Sequence, residues 1–507
     1  MGIHFGVDYY PEHWPKERWA TDVKLMKEMG IQVVRMGEFS WFNMEPAEGE
    51  FHFDWLEEVI ALLDNSGIKT ILGTPTAAPP AWIIEKNPDI QPIDSFGNIR
   101  HFGGRHHDCQ CNPAYKEHVR RFVEAYTNKF ANNSGVIGWQ VDNELGTLFD
   151  LCHCPNCTNS FQNWLEKKYQ NINTLNESWG TAFWSQGYNN FSQIQTPKQT
   201  AVGSNPSQLL DWKCFKSDMV VEFAALQTDI IRRNCPNHFI THHYMCMDNK
   251  VDYYKLGELF DFVSNDMYPS GNWHEMPHEQ NHELAADHDI VRAFKKQPFW
   301  MMEMQSGAGG WETISHAIDP GEMSVWAVQA IAHGADAILF FRWRTCALGT
   351  EQFWHGIIGH SGIPGRTYYE AQKLIDTFGK HMDDIEGSMP VAEVGIVHSY
   401  RQNYALDIQP NHPDLDYRKQ LYKYYRGFYD KQIPVDFVQP TDDFSKYKLI
   451  VAPLQYLMNP DLEKHYIDYV SNGGHLILTM RTGVKDENNL CMTGQYLPGN
   501  LSEICGI

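Results

Sequence analysis

The sequence predicts an α/β protein, a (β/α)8 barrel followed by a smaller flavodoxin-like α/β domain. Three observations carry this reading. Short apolar runs alternate with amphipathic stretches along most of the chain, and the runs stay apolar through their middles, as parallel strands buried on both faces do. There are eight such runs, the number that closes a barrel. After about Gly379 the alternation restarts on a shorter scale.

The barrel strands are expected at residues 4–10, 32–38, 69–75 and 136–144, then at 239–246, 260–269, 298–305 and 335–343. Amphipathic helices are expected at 16–29, 54–66, 115–132, 282–296 and 322–333. Gly30, Gly67 and Gly334 follow three of these helices immediately, where a C-capping glycine belongs. The stretch 145–238 between the fourth and fifth strands is too long for a connection, and insertions of this size shape sites or interfaces. The first domain is therefore placed at 1–385 and the second at 386–507. Strands at 391–398, 434–438, 448–453 and 475–480, with a helix at 461–470, make up the second domain. Its pattern stops without closing, so it is expected to be incomplete at the C-terminus. It carries no Gly-x-Gly-x-x-Gly loop, and no nucleotide or other organic cofactor is expected.

Composition narrows the ligand. The 507 residues are 42% hydrophobic and 21% charged, which is ordinary globular material. Asp and Glu number 63 against 41 Lys and Arg, a formal charge of -22 that repels phosphate backbones and excludes nucleic acid as a partner. With 16 Trp and 24 Tyr the chain is rich in rings that stack on the C–H faces of sugars. No apolar run approaches about 18 residues, so no membrane partner is expected. Five of the 11 cysteines cluster at 109, 111, 152, 154 and 157, which fits a reduced, cytoplasmic protein with one metal site better than a disulfide framework.

In a barrel, chemistry sits at the C-terminal ends of the strands. The fourth strand ends Gln140-Val141-Asp142-Asn143-Glu144, and the seventh places Glu303 inside the apolar run Phe299–Gln305. A carboxyl group in such a run is costly without a partner or a task. Two carboxyls facing across a barrel mouth are the minimum for glycoside hydrolysis, one protonated to assist the leaving oxygen and one ionised to attack the anomeric carbon. The amide of Asn143 can hold a sugar hydroxyl, which makes Glu144 the acid/base and Glu303 the nucleophile. In a retaining enzyme their separation would be about 5–5.5 Å. Cys152-x-Cys154-x-x-Cys157 supplies three zinc ligands, with the fourth from Cys109 or Cys111. The pairs His106–His107 and His242–His243 read as hydrogen-bonded polar residues near the mouth, because no carboxylate spacing accompanies them.

Several segments resemble glycoside hydrolase family 42, the retaining barrel β-galactosidases: FGVDYYPEHWP, VVRMGEFSWFNMEPAEGEFHFDWL, GTPTAAPPAW, VIGWQVDNE, NESWGTAFWSQ, SNDMYP, FWMMEMQSG and FFRWRT, in order from Phe5 to Thr345. The resemblance implies a cytoplasmic exo-β-galactosidase that takes a galactoside or small oligosaccharide. It implies Glu144 and Glu303 in the roles above, and Arg35, Asn143, Trp184, Tyr268, Trp311 and Glu351 around the sugar. Trp354 stands where the family often has histidine. The resemblance selects Cys109 as the fourth ligand of a structural zinc, with Cys152, Cys154 and Cys157. It also implies a homotrimer with the long insertion or the second domain at the contacts, and members of that family normally continue past this point into a small β domain. The alternatives are an α-L-arabinopyranosidase, since that sugar is galactose without its C6 hydroxymethyl, and a catalytically silent sugar-binding barrel, which the two carboxylates disfavour. A zinc hydrolase is disfavoured because four sulfur ligands leave no open position.

Overall fold

Runs that are apolar on both faces need a helical layer on each side or a packed interior, and the barrel provides one of each. The computed structural model describes residues 4–146, 152–245, 248–269 and 281–507. Nine strands form one parallel sheet: β1 (Phe5–Asp8), β2 (Val33–Met36), β3 (Lys69–Gly73), β4 (Val136–Gln140), β5 (Phe239–Thr241), β6 (His243–Tyr244), β7 (Ser264–Met267), β8 (Phe299–Gln305) and β9 (Ala335–Phe341). Their order is β5-β4-β3-β2-β1-β9-β8-β7-β6. β5 and β6 are two halves of the expected fifth strand, and the strand changes partners between them, from β4 to β7. The ring closes through that exchange, so eight staves appear as nine strands. His242 lies at the break, its Nδ1–H donating to Val141 O at 2.6 Å and its Nε2 accepting Leu145 N–H at 3.2 Å.

The strands are shorter than expected at their C-terminal ends because the chain leaves the ladder to build the mouth. Past β4, Asp142 and Glu144 adopt left-handed φ angles of 54° and 43°, which turn the chain out of the strand. Inside the ring, Val33, Ile71, Phe239, Trp300, Met302 and Leu339 interlock as the filled barrel interior. Gly138 is required there, since a Cβ would lie 2.2 Å from the Phe239 ring.

Helices Lys16–Met29, Asp54–Asp64, Pro113–Phe130, Asn281–Lys295 and Glu322–Ala332 cover the outside near their expected limits. Gly30 caps the first with φ 93°. Between β4 and β5 lie helices Pro155–Tyr169, Ile172–Trp179 and Pro206–Asn234. The last packs on Pro113–Phe130, with Phe223 stacked on Tyr115 at 5.8 Å, and serves as the barrel's own helix before β5. Ahead of it, the excursion has a small core in which Phe161, Trp179, Trp212 and Phe215 surround buried cysteines.

The second domain holds four parallel strands in the order Val435–Val438, Val394–Val397, Leu449–Ala452, His475–Leu478, as expected for a flavodoxin-like sheet. Its helix Tyr417–Tyr429 docks on Asn281–Lys295 of the barrel. There Tyr422 and Tyr425 donate to Asp287 and Asp289, each at 2.6 Å. Among the described residues no helix is long and apolar enough to cross a membrane.

Candidate active site

The two carboxyls singled out from the sequence do emerge at the barrel mouth, and both are about 95% buried. Glu303 lies in β8, in register with Asp266 of β7. Its Oε1 takes a 2.5 Å contact from Arg35 Nη2, and its Oε2 accepts from the Tyr268 hydroxyl. Glu144 follows β4. Its Oε2 receives Arg105 Nη2 at 3.0 Å and Asn143 Nδ2 at 3.1 Å. Burial, with Glu303 nearby, raises the Glu144 carboxyl above its ordinary value against the pull of Arg105. The two acids therefore differ in their surroundings: Glu303 is held by an arginine and a phenol, while Glu144 is a desolvated group whose carboxyl is raised above its ordinary value.

Arg35 has no exposed surface and sits beneath Glu303 rather than on the pocket wall. Its Nε lies 2.9 Å from Asp8, its Nη2 3.1 Å from Glu38, and its Nη1 2.9 Å from Gln140. The resemblance implied contact with sugar hydroxyls, but these bonds commit the guanidinium to the protein. Burial pushes the Asp8 carboxyl well up despite Arg35.

A pocket of about 600 Å³ opens beside Arg105, lined also by His13, Phe39, Trp311, Arg342 and Glu351. Glu351 is oriented by Arg342 Nη1 at 3.3 Å. Trp354 is buried, edge-on to the Tyr268 ring at 4.9 Å and to Phe341 at 5.9 Å. Asn143 Oδ1 is buried without a hydrogen-bond partner. Trp184 does not join this group. It is 65% exposed on the turn Phe183–Ser185 and lines a separate cavity of about 220 Å³ with Trp179, Tyr188 and Asn205.

The histidine pairs are buried. Burial lowers His106 to about 3 and His242 to about 4, so both are neutral. Sequence reasoning missed Arg105, although an arginine beside His106-His107 and four residues before Cys109 was visible as an unusual cation in an acidic protein. It also missed Asp8, Glu38 and Asp266, and it placed His243 near the mouth without naming a partner; Asp8, His243 and Asp266 lie on different strands and meet only in the closed ring.

The loop after β3 and the insertion meet at the cysteines. Sγ atoms of Cys109, Cys152, Cys154 and Cys157, all buried, lie within 4.8 Å of one another. Cys109 is 3.5 Å from Cys154 and 3.4 Å from Cys157. Tetrahedral bonds of about 2.3 Å would set the sulfurs about 3.8 Å apart, so the cluster has the dimensions of a metal site. The Lys216 ammonium, buried 4.0 Å from Cys157 Sγ, offsets part of the charge four thiolates would carry.

The family model for the beta-galactosidases of glycosyl hydrolase family 42 matches residues 8–381, and the beta-galactosidase trimerisation domain matches 392–507. The chain belongs to glycoside hydrolase family 42. Its relatives include Beta-galactosidase BgaA of Clostridium cellulovorans, 39% identical over all of this chain and 76% of that protein. Among solved structures, the polyextremophilic beta-galactosidase of Halorubrum lacusprofundi superimposes with a TM-score of 0.95 at 38% identity, covering 99% of this chain and 76% of that one. The beta-galactosidase of the psychrophilic Marinomonas ef1 follows at 0.91 and 33%, covering 99% and 79%. This family 42 chain thus spans about three quarters of the length of the relatives named here.

Proposed function

We propose that this family 42 chain removes terminal β-D-galactose from β-galactosides by double displacement, with Glu144 as acid/base and Glu303 as nucleophile. The observation that carries the reading is the unequal treatment of the two carboxyls. Glu303 is held by Arg35 and Tyr268, and burial raises the Glu144 carboxyl above its ordinary value, as an acid that gives up a proton to the leaving oxygen requires.

In the first step a Glu303 oxygen bonds to the anomeric carbon while the glycosidic C–O bond breaks and the Glu144 proton passes to the leaving oxygen. In the second step Glu144 takes a proton from water, whose oxygen bonds to the anomeric carbon as the ester to Glu303 breaks. Asn143 Oδ1 is placed to accept from the 2-hydroxyl. Arg105, Trp311 and Glu351 serve the remaining face of the sugar, and Trp354 bears on the choice between galactose and L-arabinopyranose. Hydrolysis of paired nitrophenyl β-galactoside and α-L-arabinopyranoside tests this. Faster arabinopyranoside cleavage would displace galactose as the substrate, and no cleavage of either would defeat the reading.

The four cysteines fit a structural zinc, which when bound would supply charge neutralisation and a fixed crosslink between the third loop and the insertion, with no part in the reaction. The trimerisation domain supports a homotrimer, and the reduced thiols support a cytoplasmic location. Light scattering on the purified chain tests the assembly.

A further inference from the structure

Asp266 ends β7 beside Glu303 and is 4% exposed, yet neither of its carboxylate oxygens has a formed hydrogen bond among the described residues. Such a group is costly unless it holds a proton or shares one. His243 Nε2 lies 3.2 Å from Asp266 Oδ2. On the other side of that ring, Arg35 Nη1 lies 3.3 Å from Nδ1. An arginine can only donate, so Nδ1 carries the lone pair and the hydrogen of the neutral ring is on Nε2, which lies near Asp266 but out of line for a hydrogen bond. His243 thus offers Asp266 a dipole rather than a cation. Nor can Nε2 bind a metal in that tautomer.

One oxygen of Glu144, one of Asp266 and the His243 nitrogen lie within 4.8 Å of one another. The charged groups facing Glu144 are Arg105, Glu303 and Glu351. Those facing Asp266 are Arg35, Asp8 and Glu303, and Arg35 is already shared among three other carboxyls. In the free enzyme, where Glu303 has not yet been esterified, two buried carboxyls with so little cation between them cannot both ionise.

We propose that Glu144 and Asp266 hold one proton between them, and that Asp266 is the positioning residue that keeps this proton available to the leaving oxygen. Burial raises both carboxyls, Asp266 the more, with Glu303 and Glu144 adding to the effect on Asp266. The pair titrates as a unit, and its last proton leaves only at a pH above the value for Glu144 alone. In the first step this proton moves to the departing oxygen. In the second step the pair regains it from water, the Asp266 charge making Glu144 the stronger base. Asp266 forms no bond to sugar in either step.

The inference rests on Glu144 being the acid/base, and one set of pH profiles separates the two claims. With lactose, kcat/KM of the full chain is followed across the alkaline limb for the native protein and for Asp266→Asn and Asp266→Ser. Circular dichroism checks that each variant is folded. The limb should move down by about one pH unit or more in both neutral variants. With 2,4-dinitrophenyl β-galactoside, whose leaving group needs no proton, kcat/KM should change far less. Glu144→Ala is measured alongside with the dinitrophenyl substrate and azide. If Glu144→Ala makes β-galactosyl azide but either folded Asp266 variant keeps the native alkaline limb with lactose, the shared proton is wrong and the catalytic pair stands. If Glu144→Ala is not rescued, the acid/base reading itself falls.

Discussion

Arg35 and Glu303 meet at 2.5 Å, Nη2 to Oε1, on neighbouring sides of the barrel interior, with side-chain exposures of 0% and 6%. The same guanidinium reaches Asp8 on β1, one of the two strands between them in the ring, and Gln140 on β4. Four staves are tied by one side chain, and its planar fork serves acceptors in several directions as an ammonium cannot. Arg35→Lys should lower kcat by about 100-fold or more with a small change in KM, and it should cost stability, since breaking a buried pair costs about 3–5 kcal/mol. Steady-state kinetics and thermal melting measure both. A change in KM alone would place Arg35 in sugar binding instead.

The division between Glu144 and Glu303 predicts opposite responses to leaving-group quality. Glu303→Gln should remove turnover on every substrate. Glu144→Ala should retain substantial activity on dinitrophenyl galactoside and little on lactose, and azide should be captured as the β-galactosyl product. Proton NMR of the native reaction should show β-galactose first. The α anomer as first product would mean inversion.

The neutral buried histidines set a pH dependence of stability. His242 titrates at about 4 and His106 at about 3 in the folded chain, in both cases because of burial, against about 6.5 unfolded. Below 6.5 the unfolded chain binds protons that the native chain does not, so stability is full above that pH and falls as pH drops toward 4. The loss should amount to a few kcal/mol. The melting temperature should therefore decline between pH 6.5 and 4, and more gently in His242→Gln. An equal slope in the two proteins would count against this origin.

Cys154 caps the helix Pro155–Tyr169 through its sulfur as well as joining the thiol cluster. Cys154→Ser should lower the melting temperature by several degrees while the protein that remains folded turns over at near the native rate. Plasma emission should find about one zinc per chain in native protein prepared without chelator, and much less in the variant. Native protein with no zinc and freely reacting thiols would refute the site.

Much of this protein was decided by local sequence. Runs such as Phe299–Gln305 could be buried only as parallel strands, and Gly30 and Gly67 marked where helices stop, because hydrophobic period and left-handed φ are properties of a few adjacent residues. Glu303 was legible for the same reason, as a charge in an apolar run, and the three cysteines within six residues were legible from spacing. The tertiary structure alone decided the partners. Asp8, Arg35, His243, Asp266 and Glu303 come from five strands, and they come together only once the ring closes. It set Arg35 against Glu303, brought Arg105 to Glu144, and left Trp184 exposed beside a separate cavity. Residue type and spacing show that a group is expensive to bury. Which neighbour meets that cost depends on through-space distances that sequence separation does not encode.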